Sequence, residues 1–154
     1  MIHDVRTKQE NLEELIMRHE GYRDVAYLCT TGHLTIGVGH KILPEEKFKK
    51  GVKYSKEQLM QVFRTDLANA KFFTNLLVKE WKLPEDAYNV VVSMIFQMGN
   101  KGVSKFKKFL VCLKAHDWIG CKYHGLDSKW AKQQTPERAE ELMTIISEVE
   151  CGCH

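Results

Sequence analysis

The sequence predicts an α+β fold, predominantly helical, with one small antiparallel sheet near the N-terminus. Three observations carry that reading. Apolar residues recur at helical spacing through most of the 154-residue chain. Only the stretch from Val25 to Val38 departs from that period, mixing β-branched and aromatic residues with Thr-Gly punctuation. A single apolar stripe then runs unbroken from Leu59 to Leu77, which calls for one long helix. The length suits one domain, or two small lobes sharing a core. A hydrophobic content of 44% and a charged content of 28% are ordinary for a globular protein.

Taken in order, Leu12, Leu15 and Ile16 mark a helix between Gln9 and His19, with Asn11 or a preceding polar residue as its cap. Gly21 stops it and leaves Glu20 at its C-terminal end. Thr31-Gly32 reads as a hairpin turn. After it Leu34, Ile36 and Val38 alternate toward one side, while Thr35 and Gly37 face the other. Thr35 is therefore expected off the apolar face, lining a cleft. Ser55 and Gln58 form a capping box for the long helix. Its stripe comprises Leu59, Val62, Phe63, Leu67, Ala70, Phe73, Leu76 and Leu77. Pro84 and Glu85 open the next helix, which passes Val90, Val91, Met94 and Ile95 and is expected to close at Gly99. Phe106, Phe109, Leu110 and Leu113 mark another helix, and Trp118 and Trp130 sit on shorter pieces. Thr135-Pro136 starts the last one, carrying Ala139, Leu142, Met143, Ile145 and Ile146. No repeat or low-complexity segment is visible. The expected organisation is a single domain over 1–154. Within it, about 15–54 form a sheet-bearing lobe, 55–80 a bridging helix and 81–150 a helical lobe, with residues 1–14 packed on that lobe.

The net charge of +3 is a mild basic excess, suited to an anionic polymer and too small to indicate nucleic acid. The clusters Lys47, Lys49, Lys50, Lys53 and Lys101, Lys105, Lys107, Lys108 read as solvated faces, since no aromatic RNA motif or zinc-finger spacing accompanies them. No apolar run approaches the length of about 18 residues that a membrane span needs. The first ten residues lack the apolar core of a signal peptide. Synthesis in a cytosol is expected. The five cysteines, Cys29, Cys112, Cys121, Cys151 and Cys153, are then most simply free thiols. Excluding Cys29, the other four allow three pairings. The tail Cys151-Gly-Cys-His154 lacks a full set of metal ligands.

Chemistry concentrates in the run from Arg18 to His40. Glu20, Cys29 and Thr35 stand there as E-x8-C-x5-T, and the run ends Thr35-Ile-Gly-Val-Gly-His40. Hydrolysis of a glycosidic bond needs an acid for the leaving oxygen and a second group that activates or replaces water. A carboxyl at a helix end, with a thiol and a hydroxyl on short strands folded back against it, supplies those types. The pattern resembles that of the phage-type lysozymes, also called endolysins or muramidases. That family carries Glu, then Asp or sometimes Cys, then Thr at this spacing, with a T-I-G-x-G-H ending. Two further stretches match it, Phe96-Gln-Met-Gly99 and Trp130 with Gln134-Thr-Pro-Glu-Arg138, so the resemblance spans roughly residues 10 to 145.

The resemblance implies a lysozyme-like fold and hydrolysis of the β-1,4 bond between N-acetylmuramic acid and N-acetylglucosamine in peptidoglycan glycan strands. Glu20 would be the acid, Cys29 would activate water or attack carbon, and Thr35 would hold the water. Arg138 matches a position that pairs with the acid. His40 matches a structural residue paired with an acid on the long helix, here Asp66. Gln97 and Trp130 would line or support the sugar cleft, or belong to the core. No metal or organic cofactor is implied. The expected protein is a monomer with no nucleic-acid or membrane partner, reaching the periplasmic wall after release by another factor. Two rivals stay open: a non-catalytic wall-binding protein on the same scaffold, and a thiol hydrolase using a Cys29–His40 dyad.

Overall fold

The computed structural model describes residues 10–29 and 32–149. In order they form α1 (Leu12–Glu20), β1 (Arg23–Leu28), β2 (Leu34–Gly37), β3 (His40–Lys41), α2 (Lys56–Val78), α3 (Glu85–Ser104), α4 (Lys107–Lys114), α5 (Trp118–Leu126), a π-turn (Trp130–Gln134) and α6 (Pro136–Ser147). This is the expected mostly helical α+β architecture with one small antiparallel sheet. No helix among the described residues is long and apolar enough to cross a membrane. The Cys151-Gly-Cys-His154 tail, Thr31 of the expected turn and residues 1–9 lie outside the described residues.

The chain divides into two compact units between Asn69 and Ala70, inside α2. In the first unit, α1 begins with a complete capping box. The Asn11 side chain accepts from Glu14 N at 2.8 Å, and the Glu14 carboxylate accepts from Asn11 N at 2.9 Å. Leu15 and Ile16 are its buried residues. The sheet order is β1-β2-β3, with Tyr27 opposite Thr35 and Leu28 opposite Leu34. A bulge between Arg23 and Tyr27 bends β1. The third strand, His40–Lys41, makes β2 central and was not expected. Gly37 approaches α2 closely, within van der Waals reach of Leu59.

Helix α2 buries Leu59, Phe63, Leu67, Ala70, Thr74 and Val78. The expected stripe is correct as far as Ala70 and then drifts, because Phe73 and Leu76 are 37% and 59% exposed. The steps of three and four residues hold one face in line, and that face continues through Thr74. Its buried hydroxyl is satisfied by Ala70 O at 2.8 Å.

In the second unit, the main run of α3 ends at Gly99 as expected: Gly99 is non-helical, with φ 80° and ψ 164°, and a second short helical stretch resumes beyond this kink and runs to Ser104. Its Val90, Val91, Val92, Met94 and Ile95 form the centre of the core, joined by Phe109, Leu113, Leu142, Met143 and Ile146. Helix α6 packs on α3 and α5. Cys112 and Cys121 are free thiols. Burial pushes Cys121 up to about 12, with Cys112 and Asp117 adding to the effect.

Candidate active site

Glu20 is the last residue of α1, and the Gly21 N–H closes the helix on Met17 O at 2.8 Å. That stop directs the chain into β1. The carboxyl of Glu20 lies against the turn that follows β2. A Cβ built on Gly39 would sit 2.7 Å from Glu20 Cδ, and Gly39 has φ 65°. Glycine is therefore required there twice, for the left-handed backbone and for the space that the carboxyl occupies.

Cys29 directly follows β1 and is half-buried. One atom ties it to Thr35. The carbonyl oxygen of His33 accepts from Cys29 N at 2.9 Å and from the Thr35 hydroxyl at 3.0 Å. Thr35 is 2% exposed. Its hydroxyl proton is used, so its oxygen can serve further only as an acceptor. Thr35 is thus covered rather than open to solvent, as are Ile36 and Val38 on the other phase of the segment.

With this geometry in hand, comparison with known proteins is decisive. The family model described as phage lysozyme matches residues 17–143. The chain belongs to the phage lysozyme family. The match covers nearly the same span as the motif resemblance. The chain is similar to the pre-baseplate central spike protein Gp5 of Enterobacteria phage T4, with 30% identity over 158 residues. That alignment takes in 88% of this chain and 27% of that much longer protein. It is 27% identical over 159 residues to probable T4-type lysozyme 2 of Dictyostelium discoideum, covering 88% of this chain and 93% of that one. It is 27% identical over 132 residues to an endolysin of Acyrthosiphon pisum secondary endosymbiont phage 1, covering 86% and 85%.

His40 is fully engaged. Its Nδ1 lies 2.7 Å from Asp66 Oδ2, and its Nε2 lies 2.9 Å from Glu46 Oε1. The Glu46 carboxylate also accepts from Leu43 N at 2.8 Å, which locks the loop. The hydrogen bond to Asp66 raises the imidazole to about 9, aided by Glu46 and opposed by burial. A cationic ring with both N–H groups donated to carboxylates cannot act as the base of a Cys29–His40 dyad. Glu46 had no signal in the sequence, because loop partners obey no period.

That ring makes stability pH-dependent. The folded value of about 9 exceeds the ordinary 6.5. The contribution is therefore complete below about pH 6.5 and is lost as pH rises through 9. Its size is on the order of 3 kcal/mol at most. His40→Gln should lower stability at pH 6 and flatten the decline between pH 6.5 and 9 that urea titrations of the parent are expected to show. An unchanged slope in the variant would remove His40 from this role.

Gln97, Trp130 and Arg138 come together in the second unit. Trp130 is buried, and its Nε1–H donates to Gln97 Oε1 at 2.9 Å. Gln97 Nε2 donates to Thr135 Oγ1 at 3.1 Å. Gln97 thus fastens the π-turn and the start of α6 to α3. Arg138, on the first turn of α6, is buried and donates from Nη2 to Ser93 Oγ at 3.4 Å. Ser93 and Gln97 lie one turn apart on α3, so one helix face holds both ends of this segment. Ser93 and Thr135 were not expected from sequence.

Proposed function

We propose that this protein is a peptidoglycan muramidase that hydrolyses the β-1,4 bond between N-acetylmuramic acid and N-acetylglucosamine and thereby lyses bacterial cells. One observation carries the reading: the Glu20 carboxyl is seated on Gly39 in the same unit in which one carbonyl brackets Cys29 and Thr35. Membership of the phage lysozyme family and similarity to a protein named endolysin support it.

In this mechanism Glu20, protonated, gives its proton to the leaving oxygen as the C1–O bond breaks. Water adds through its oxygen to C1, and its proton passes to the Cys29 sulfur, which must enter the step as thiolate. Thr35, already donating to His33 O, accepts an O–H of that water. The products are a new reducing end and a free hydroxyl. Action at the periplasmic wall, after release by another factor, belongs to the same proposal.

The test is turbidity clearance of permeabilised Gram-negative cells, together with release of reducing ends from purified peptidoglycan. New amine ends without new reducing sugar would overturn it. The seat of the acid gives a further expectation. Gly39→Ala should displace the Glu20 carboxyl and slow clearance by about 100-fold, as misplacement by about 1 Å can do. Parental rates in a folded Gly39→Ala protein would show that the contact does not position the acid.

A further inference from the structure

The following rests on the hydrolase reading and deepens it. Tyr27 on β1 stands directly opposite Thr35 on β2, so both side chains leave the sheet on the same face. The Arg23 guanidinium lies 4.6 Å from the centroid of the Tyr27 ring, a cation–π contact that fixes the plane of the ring. Tyr27 is half-buried, unlike its neighbour Leu28, which is exposed. Among the described residues its hydroxyl has no hydrogen-bond partner. Burial raises the phenol above its ordinary value, Glu20 raises it further, Arg23 opposes, and Cys29 adds to the rise. Both Glu20 and Cys29 therefore lie within electrostatic reach of this hydroxyl, which stays protonated at neutral pH.

A partly covered O–H that keeps its proton, has no acceptor among the described residues, stands across the sheet from Thr35 and lies within electrostatic reach of the acid and the thiol is placed to serve a ligand. A sugar offers hydroxyl, ring and acetamido oxygens, all of them acceptors. We infer that Tyr27 is a substrate-contacting residue of the hydrolase site, donating its phenolic O–H to a sugar oxygen bound alongside Glu20 and Cys29. Arg23 is then a positioning residue, acting through the ring that it covers.

Tyr27→Phe tests this, because it keeps the ring and its Arg23 contact and deletes only the donor. The expected result is a fall in kcat/KM on purified peptidoglycan of about tenfold, the scale of one lost hydrogen bond, with an unchanged Tm. In the Glu20→Gln background, Tyr27→Phe should weaken binding of soluble muramic acid–glucosamine oligosaccharides by a similar factor. Parental kcat/KM overturns the inference. So does a loss of activity accompanied by a matching fall in Tm, which marks a structural role. Glu20→Gln alone separates the two readings. If it is inactive while Tyr27→Phe is parental, only the inference about Tyr27 fails. If Glu20→Gln is fully active, the hydrolase reading fails and takes this inference with it.

Discussion

Glu20→Gln is expected to abolish wall clearance while leaving the fold intact. The amide keeps the size and shape of the carboxyl, so it still fits against Gly39. It has no proton to give to a leaving oxygen. Loss of a positioned general acid costs about two to four orders of magnitude. The structural cost should be small, because Glu20 ends α1 and the helix is closed by a backbone bond from Gly21. The check is a paired measurement of clearance rate and Tm. A folded Glu20→Gln protein that clears cells at the parental rate would remove the proposed mechanism entirely. An inactive variant that still sediments with peptidoglycan separates the enzyme from the wall-binding rival, since a pure binder has no activity to lose.

The features that sequence revealed best are those set by local chemistry. A polar cap before α1, Gly21 after Glu20, and Pro136 at the start of α6 are each dictated by the unpaired groups at a helix end. Spacing alone singles out Glu20, Cys29 and Thr35 in the sequence, whereas the close approach of Glu20 to Gly39 leaves no mark there. What escaped detection depends on partners distant in sequence. Alternation along β2 separates two faces but cannot say which is covered. A third strand as short as His40–Lys41 leaves no period to read. Phe73 and Leu76 look like core by type, yet the helical period assigns the buried positions to Thr74 and Val78. The π-turn at Trp130–Gln134 has no compositional mark, although such turns are frequent at functional sites.

Cys29 is where this chain departs from the commoner carboxylate, and its substitutions should have the second-largest effect. Cys29→Ala is expected to lose most activity, about 100-fold or more, since a methyl group neither accepts a proton nor attacks carbon. Cys29→Asp should retain substantial activity, because a carboxylate at that place accepts the water's proton without first having to ionise a thiol. The backbone anchor survives either change, as it uses Cys29 N and His33 O rather than the side chain. Alkylation adds an independent arm. Cys121 is held near 12 by burial. Cys112 is also raised, by burial first and then by Asp117, whose side chain interacts with the thiol. Both should resist a thiol reagent at neutral pH in the folded protein. With Cys151 and Cys153 changed to Ser, the reagent should inactivate the Cys29 form and spare the Asp form. If Cys29→Ala lyses cells as well as the parent, the thiol is packing, and Glu20 with a water held by Thr35 must carry the reaction alone.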